Sequence, residues 1–231
     1  MNNGLTLKVI ARIRTPFPEK FGIPRQSGRV PEIRGKIVFE PEYRNADALR
    51  GLEGFTHLWL LWHFSKAESE GWSPTVRPPR LGGNRRMGVF ATRSPYRPNP
   101  IGLSCVRILR TVLSSEEGPY IEVEGADLMD GTPIFDIKPY LPAADCVPEA
   151  EGGFADPLTD YGLTVSDPEG LLSSLDAEKA SMIRAVLADD PRPAYHKDAG
   201  RIYSFECGGC RISFRVESET VILCGLEPFN S

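Results

Sequence analysis

The sequence predicts a mainly β protein: an N-terminal β-barrel-like domain with irregular loops, followed by a small α+β C-terminal domain. Short apolar segments follow one another with little helix between them over the first 150 residues. Turns rich in Gly and Pro separate them, and a closed barrel would protect the edges of so many short strands. A long amphipathic pattern appears only after residue 160. We therefore expect one domain over residues 1–150 and a second over residues 160–231.

The N-terminal strands are predicted from alternating polarity or from apolar runs. Phe55–Phe64 is nearly all apolar and aromatic, so we expect a central strand covered on both faces, with His57 as a core histidine. Ala46–Leu52 is predicted to be a short helix, with Asn45 or Asp47 near its start and Gly51 or Gly54 at its end. The predicted strands are Leu5–Ile13, Gly35–Phe39, Phe55–Phe64, Gly88–Ala91, Ile101–Leu113, Tyr120–Gly125 and Pro133–Ile137.

Two segments lack a regular spacing of apolar residues and are predicted to be loops. Lys66–Arg86 is polar and interrupted by Gly and Pro, which predicts a long loop of the kind that forms a lid, a binding loop or an oligomer contact. Its arginines make it a candidate anion-facing segment. Ala143–Thr159 has the composition of a linker or meandering loop.

The C-terminal part predicts one helix and about three strands. Asp176–Ala188 has apolar residues on one face, and Ser173 and Asp176 are candidates for a capping box at its start. The predicted strands are Ile202–Phe205, Ile212–Val216 and Val221–Leu223. A unit of this size is suited to docking or dimerisation rather than to catalysis.

Composition indicates a soluble globular protein. The 231 residues are 41% hydrophobic and 25% charged, and no apolar run has membrane-spanning length. The first residues lack the features of a signal peptide, so we expect a cytoplasmic protein. Five cysteines, an odd number, do not indicate a disulfide framework.

The net charge of −4 conceals two halves of opposite sign. Residues 1–110 contain 19 Lys and Arg against 8 Asp and Glu, whereas residues 111–231 contain 8 against 23. The basic half either faces a polyanion or pairs with the acidic half, and the charge counts alone do not separate these readings.

Missing motifs argue against Rossmann oxidoreductases, P-loop phosphotransferases and the common hydrolases. The sequence has no GxGxxG opening a βαβ unit, no GxxxxGK[ST], no HExxH and no GxSxG. Cys207 and Cys210 suggest a zinc or redox pair, but the chain has a single CxxC. The Gly-Gly between them, flanked by strand-like segments, favours a hairpin turn, and we expect no metal.

Three separate segments combine a stiff backbone with polar groups: Pro24-Arg25-Gln26, Arg93 to Asn99, and Asp130-Gly131-Thr132-Pro133 followed by Asp136, Lys138 and Tyr140. In the second, three prolines in six positions stiffen a loop that presents Arg93, Arg97 and Asn99. Guanidinium and amide groups suit a carboxylate, a phosphate or a base edge. With the acceptors and turn N–H groups of the other two segments, they predict a pocket for a nucleoside-bearing cofactor.

Four stretches together resemble the TrmO/TsaA-like family of tRNA N6-methyltransferases: KFGIPRQSGRV, HLWLLWHF, GVFATRSPYRPNPIGLS and DGTPIFDIKPY. The resemblance covers about residues 7 to 150, and the later helix and strands are similar to that family's C-terminal extension. It implies a β-barrel enzyme that uses S-adenosylmethionine and works as a homodimer. The implied reaction methylates N6 of threonylcarbamoyladenosine at position 37 of threonine tRNA, in the anticodon loop.

The resemblance also implies site residues. Those implied to bind the cofactor are Pro24, Arg25, Gln26, His63, Phe64, Arg93, Leu103, Asp130, Gly131, Thr132 and Pro133. Removal of the N6 proton would help the reaction, and His63 and Asp136 are the candidate bases. Arg97 is a candidate partner for the carboxylate of the substrate, and Asn99, Lys138 and Tyr140 are further candidate substrate residues.

Two other function classes compete with the enzyme. A non-catalytic barrel that binds RNA would use Arg25, Arg93 and Arg97 on phosphates without chemistry. A purely structural, oligomerising protein would explain the C-terminal domain but not the three polar segments.

Overall fold

The structure is a computed structural model, and it describes residues 6–66, 72–78, 85–158, 162–192, 198 and 200–229. The strands are β1 Ala11–Arg14, β2 Arg34–Phe39, β3 His57–His63, β4 Thr75–Val76, β5 Met87–Gly88, β6 Ile101–Val112, β7 Tyr120–Glu124, β8 Thr132–Pro139, β9 Thr164–Ser166, β10 Tyr203–Cys207, β11 Cys210–Glu217 and β12 Thr220–Pro228. The α-helices are α1 Pro142–Asp145 and α2 Ala177–Ala188.

Six strands close into a barrel in the order β1-β2-β7-β6-β3-β8, and every neighbouring pair is antiparallel. Alternate side chains of β2, β3 and β7 point inward, and Ile37, Leu60 and Ile121 are fully buried there. Closure leaves no free edge on the barrel sheet. The predicted mainly β fold with an N-terminal barrel is confirmed.

A second sheet has the order β10-β11-β12-β9, in which β9 runs parallel to β12. Helix α2 packs on it through Met182, Ile183, Val186 and Leu187. Residues from the segment between β1 and β2 complete the same core, namely Phe17, Val30 and Ile33. The C-terminal sheet therefore packs directly against that segment.

Several local predictions were wrong, and non-local contacts explain the differences. Val89–Ala91 is a 3-10 turn rather than a strand, because the Val89 amide donates to Pro74 O at 3.0 Å and Thr92 N closes the turn. In place of the helix predicted over residues 46–52, residues 46–54 contain two short 3-10 turns, Ala46–Leu49 and Leu52–Gly54. Strand β3 buries only alternate side chains, since one face of a barrel strand faces outward. His57 is accordingly half-buried on that outward face.

Smaller corrections concern the ends of elements. The first strand begins at Ala11 rather than Leu5, and the predicted linker contains α1 and a 3-10 turn at Gly153–Leu158. Helix α2 is capped by Asp176, whose carboxylate accepts from Lys179 N at 2.8 Å, whereas Ser173 bonds to Gly170 O. Within the predicted Lys66–Arg86 loop lies strand β4, which pairs with β5 directly after the loop. Residues 67–71 and 79–84 lie outside the described residues.

The Cys207 and Cys210 pair spans a hairpin turn, as predicted. The two cysteines are partners in the β10–β11 register, and Gly208 and Gly209 both have positive φ. Burial raises the pKa of the Cys207 thiol to about 12, so this thiol stays protonated at neutral pH.

Candidate functional site

A cavity of about 770 Å³ lies where four segments meet: the loop between β1 and β2, the end of β3, the loop that leads into β6, and the turn between β7 and β8. Its size is typical of a small-molecule site. Ten of the predicted site residues line it: Pro24, Arg25, Gln26, His63, Phe64, Arg93, Arg97, Asn99, Leu103 and Thr132. Barrel closure thus brings together residues from separate parts of the sequence.

The two arginine-bearing loops are joined across this cavity. Arg93 Nη1 donates to Gln26 Oε1 at 2.5 Å. Arg97 turns back on its own loop and donates to Thr92 O at 3.1 Å, a bond that holds the loop's shape. Arg93 therefore links two walls of the cavity, and Arg97 stiffens one of them.

Arg25 has a second task that the sequence did not indicate. Its Nη2 donates to Arg192 O at 2.6 Å and to Asp190 O at 3.3 Å, both in the C-terminal part of the chain. Arg25 lines the cavity while its guanidinium is bound by backbone carbonyls beyond α2.

The end of β3 supplies His63 and Phe64. Pairing with Ile101 fixes His63 in the barrel sheet, and its ring packs 5.6 Å from that of Phe135. The Phe64 amide donates to Pro100 O at 3.0 Å, and its ring lies 4.1 Å from that of Trp62. An aromatic wall and an imidazole thus stand side by side in the cavity.

The Asp130-Gly131-Thr132-Pro133 turn, predicted to bind the cofactor, reaches the cavity at one position. Only Thr132 of these four lines the cavity. The Asp130 carboxylate accepts from the Thr15 amide at 2.9 Å, and Gly131 takes φ +73°, a conformation that favours glycine. The turn holds β1 against β8, while the adjoining residues Leu128 and Met129 face the cavity.

Three further candidates lie away from the cavity lining. Asp136 accepts from the Ile137 amide and pairs with Lys138 Nζ at 2.9 Å. Tyr140 packs against Trp59, with 5.7 Å between the ring centroids. Of the two candidate bases, His63 is the one that lines the cavity.

Asp127 is a cavity residue that the sequence interpretation missed. Its Oδ1 accepts from Ser104 Oγ at 2.6 Å, and Ser104 in turn accepts from Trp62 Nε1 at 2.9 Å. Desolvation raises the pKa of this carboxyl, while hydrogen bonds and the charge of Arg93 oppose the shift. The sequence carried one signal for Asp127, which is its position between the apolar residues Ala126 and Leu128. An acidic side chain in a buried segment needs hydrogen-bond or charge partners, so such a position deserved inclusion among the site candidates.

We expect Asp127 to make stability fall as pH rises. Its pKa is higher in the folded than in the unfolded chain, so its contribution is complete below the ordinary value of 3.8 and is lost as pH rises through the folded pKa. The variant Asp127→Asn does not titrate there. Thermal melts from pH 4 upward should show the variant gaining stability relative to the original protein. A melting-temperature difference independent of pH would contradict the raised pKa.

Next to the cavity the chain is strongly basic. Residues 71–115 contain no Asp or Glu, and six arginines lie between residues 72 and 104. Trp72 and Phe90 are 52% and 72% exposed, and their rings stack with centroids 6.2 Å apart. Phe90 is two residues from Thr92, which lines the cavity, so no more than about 7 Å of chain separates them.

No described helix is long and apolar enough to cross a membrane. No group of three or more His, Cys, Asp or Glu side chains in the described ranges is arranged to hold a metal ion.

Fold and cavity together define a class: a β-barrel protein with a nucleoside-sized pocket beside a basic, aromatic surface. Residues 12–146 match the model of the tRNA-methyltransferase O N-terminal domain, and residues 169–229 match that of the TrmO C-terminal domain. The chain belongs to the tRNA-methyltransferase O family. The resemblance predicted from the sequence is confirmed.

Curated relatives and a solved structure agree with this family. The chain is 44% identical to the tRNA (adenine(37)-N6)-methyltransferase of Escherichia coli, over 95% of this chain and 96% of the relative. It is 45% identical to a putative S-adenosylmethionine-dependent methyltransferase of Pseudomonas aeruginosa, over 84% and 85%. The crystal structure of TrmO from Pseudomonas aeruginosa superposes with a TM-score of 0.77 at 33% identity, covering 99% of both chains.

Proposed function

We propose that this protein is a tRNA (adenine(37)-N6)-methyltransferase that transfers the methyl group of S-adenosylmethionine to N6 of threonylcarbamoyladenosine at position 37 of threonine tRNA. The observation that carries the proposal is the cavity in which Arg93, Gln26 and Asp127 meet an aromatic wall. The family and the curated activity of the Escherichia coli relative support the reaction.

The residues of the cavity fit the cofactor's chemical groups. Asp127 is an acceptor for a hydroxyl or ammonium group, whereas Arg93 is a donor for a carboxylate. Phe64 and Leu103 supply apolar surface for an adenine ring, and an aromatic face also attracts a cationic sulfonium. We assign cofactor binding to these residues together with Pro24, Gln26 and Thr132.

The reaction asks mainly for alignment and exclusion of water. The cofactor, when bound, supplies a methyl group already activated by the sulfonium, and positioning can lower such a barrier by roughly 7–11 kcal/mol. The stiff proline loop and the Arg93–Gln26 bond hold the walls in place. His63 is the base that we assign to the N6 proton, because it is the candidate that lines the cavity.

The tRNA is proposed to contact the basic segment beside the cavity. Arginines without nearby acids suit phosphates, and exposed aromatic rings stack unpaired bases. Arg97 and Asn99 stand where this segment enters the cavity. Lys138 and Tyr140 are left without a substrate role in this assignment.

Removal of Trp72, one ring of the exposed aromatic pair, is expected to weaken tRNA binding. The variant Trp72→Ala should raise the Kd for an anticodon stem-loop roughly 5- to 150-fold, since stacking contributes about 1–3 kcal/mol per base. Titration with labelled RNA, with binding of S-adenosylhomocysteine as the control, measures this. The matched variant Phe55→Ala, at an exposed phenylalanine outside the cavity lining, should bind RNA normally. Unchanged RNA affinity in Trp72→Ala would place the RNA elsewhere.

Assembly and location complete the proposal. We propose a homodimer in the cytoplasm that works without a metal, with residues 1–150 as the catalytic domain and 160–231 as the C-terminal domain. The family resemblance of the sequence supports the homodimer, and the matches of residues 12–146 and 169–229 to two separate family models support the division into domains. Sedimentation velocity on the purified protein tests the dimer.

Calorimetry with S-adenosylhomocysteine tests the proposed function, because this product shares most of the cofactor's contacts. Saturable heat and a raised melting temperature are expected. No heat and no thermal shift would contradict the enzyme, and salt-sensitive tRNA binding in their absence would leave a non-catalytic RNA-binding module.

A further inference from the structure

The loop that carries Pro24, Arg25 and Gln26 is bonded on two sides. On the barrel side, Ser27 Oγ accepts from the Cys105 amide at 3.1 Å, and the Gly28 amide donates to Gly125 O at 2.8 Å. On the other side lies the end of helix α2. We define residues 24–29 as the cofactor loop and residues 189–192 as the brace.

Two arginines of the cofactor loop bind the brace. Arg29 Nε pairs with Asp189 Oδ1 at 2.5 Å, and these side chains are only 20% and 11% exposed. Arg25 donates to the carbonyls of Asp190 and Arg192. Both ends of the cofactor loop are therefore tied to a part of the chain more than 150 residues away.

The brace itself is held firmly. Asp189 N donates to Ala185 O at 3.1 Å at the end of α2, whose apolar face is buried in the core shared with Phe17 and Val30. Asp190 takes φ +53° and pairs with Arg192 at 2.8 Å, with both side chains nearly buried. Because of these contacts, we expect the brace to keep its position when no cofactor is bound.

The charge of Asp189 is balanced by an arginine of the cofactor loop. The C-terminal end of a helix carries partial negative charge, so an acid there is unfavourable unless cations lie close by. Asp189 stands at this end of α2, and Arg29 supplies a cation to it. The pair therefore stabilises one arrangement of loop against helix end.

We propose that the C-terminal domain is a positioning element for the cofactor site: Asp189, through Arg29, and the Asp190 and Arg192 carbonyls, through Arg25, hold the cofactor loop in its binding shape before the cofactor arrives. The inference rests on the proposed function for the identity of the cofactor. A preformed loop lowers the conformational entropy lost on binding. Neither Arg29 nor Asp189 lines the cavity, so they act only through the loop.

The variant Asp189→Asn tests this role, with Glu178→Gln as its matched control. Glu178 also joins the two parts of the chain, pairing with Arg34 at 3.0 Å, but it does not touch the cofactor loop. If the loop of Asp189→Asn keeps its binding shape about one-tenth of the time, Kd and KM for the cofactor rise about tenfold. The kcat at saturating cofactor stays unchanged, because the bound state is the same.

Hydrogen exchange without any cofactor provides a second readout. The Gly28 amide bonds across to the barrel, so a loosened loop exposes it more often. We expect faster exchange around Gly28 in Asp189→Asn and normal exchange in Glu178→Gln. The double variant Arg29→Asp with Asp189→Arg restores an ion pair and should recover both exchange protection and cofactor affinity.

Each outcome decides the matter. Faster exchange and higher Kd in Asp189→Asn alone support the brace. Equal exchange in both variants, or a kcat loss with unchanged KM, overturns it. The exchange result also separates this inference from the proposed function: if the original protein binds no S-adenosylhomocysteine, the cofactor assignment fails while the exchange comparison still tests the brace.

Discussion

Replacement of Gly102 by alanine is expected to destabilise the barrel by about 3 kcal/mol or more and to abolish cofactor binding. A Cβ at this position would lie 2.2 Å from Cε2 and 2.4 Å from Cζ2 of Trp62. The indole borders the cavity, but a shift in that direction would break the bond from its Nε1 to Ser104. Its buried neighbours belong to the barrel core and leave it no room on that side. Trp62 and Gly102 both line the cavity, so any shift of the ring reshapes the site.

Thermal melts and calorimetry measure both effects. A loss of about 3 kcal/mol corresponds to a fall in Tm of roughly 6–12 °C for a chain of this size. Gly88→Ala is the matched control, because a Cβ added at Gly88 would meet nothing within 4 Å and the φ of −58° there suits any residue. A Gly102→Ala protein that melts with the original and binds S-adenosylhomocysteine normally would refute the packing described for Trp62.

Removal of the Arg93 guanidinium is expected to weaken cofactor binding roughly 10- to 150-fold. Arg93→Ala loses the bond to Gln26 and a cation whose charge acts on the Asp127 carboxylate, and hydrogen bonds of charged groups contribute about 1.5–3 kcal/mol. Arg93→Lys keeps the positive charge but lacks the planar guanidinium. Its cofactor Kd should therefore lie between those of the original protein and of Arg93→Ala. Calorimetry with S-adenosylhomocysteine gives the Kd values.

Arg85→Ala provides the comparison for Arg93. Arg85 is exposed in the same basic segment and does not line the cavity, so its loss removes a charge without touching the site. Its cofactor affinity should equal that of the original protein. If both variants weaken binding equally, the effect of Arg93 is general electrostatics and not a contact in the cavity.

Much of the barrel was predictable because its strands are locally patterned. Tyr120–Gly125 alternates in polarity and was observed as Tyr120–Glu124, and the Gly-Gly turn before Cys210 follows from glycine's access to positive φ. The strand prediction for Val89–Ala91 was wrong because the turn observed there depends on a hydrogen bond to Pro74. A pattern of apolar residues gives no information about that contact.

The loops of the site were predictable, whereas the direction of each side chain was not. Proline and glycine marked three segments that meet at the cavity, yet Asp130 turned to the Thr15 amide and Arg25 bound carbonyls 165 and 167 residues away. Asp127 was missed because its importance arises from Ser104 and Trp62, which only barrel closure brings beside it. Residue type and spacing identify which loops meet, and tertiary packing decides which side chains face the ligand.

Methyl transfer from labelled S-adenosylmethionine to threonine tRNA, followed by mass spectrometry of the digested nucleosides, measures the proposed reaction itself. We expect one added methyl on threonylcarbamoyladenosine at position 37, and none on the same tRNA lacking the threonylcarbamoyl group. The Arg93→Ala protein should give much less product at limiting cofactor. If purified protein binds the cofactor and the tRNA but adds no methyl group to this nucleoside, the protein is not this methyltransferase.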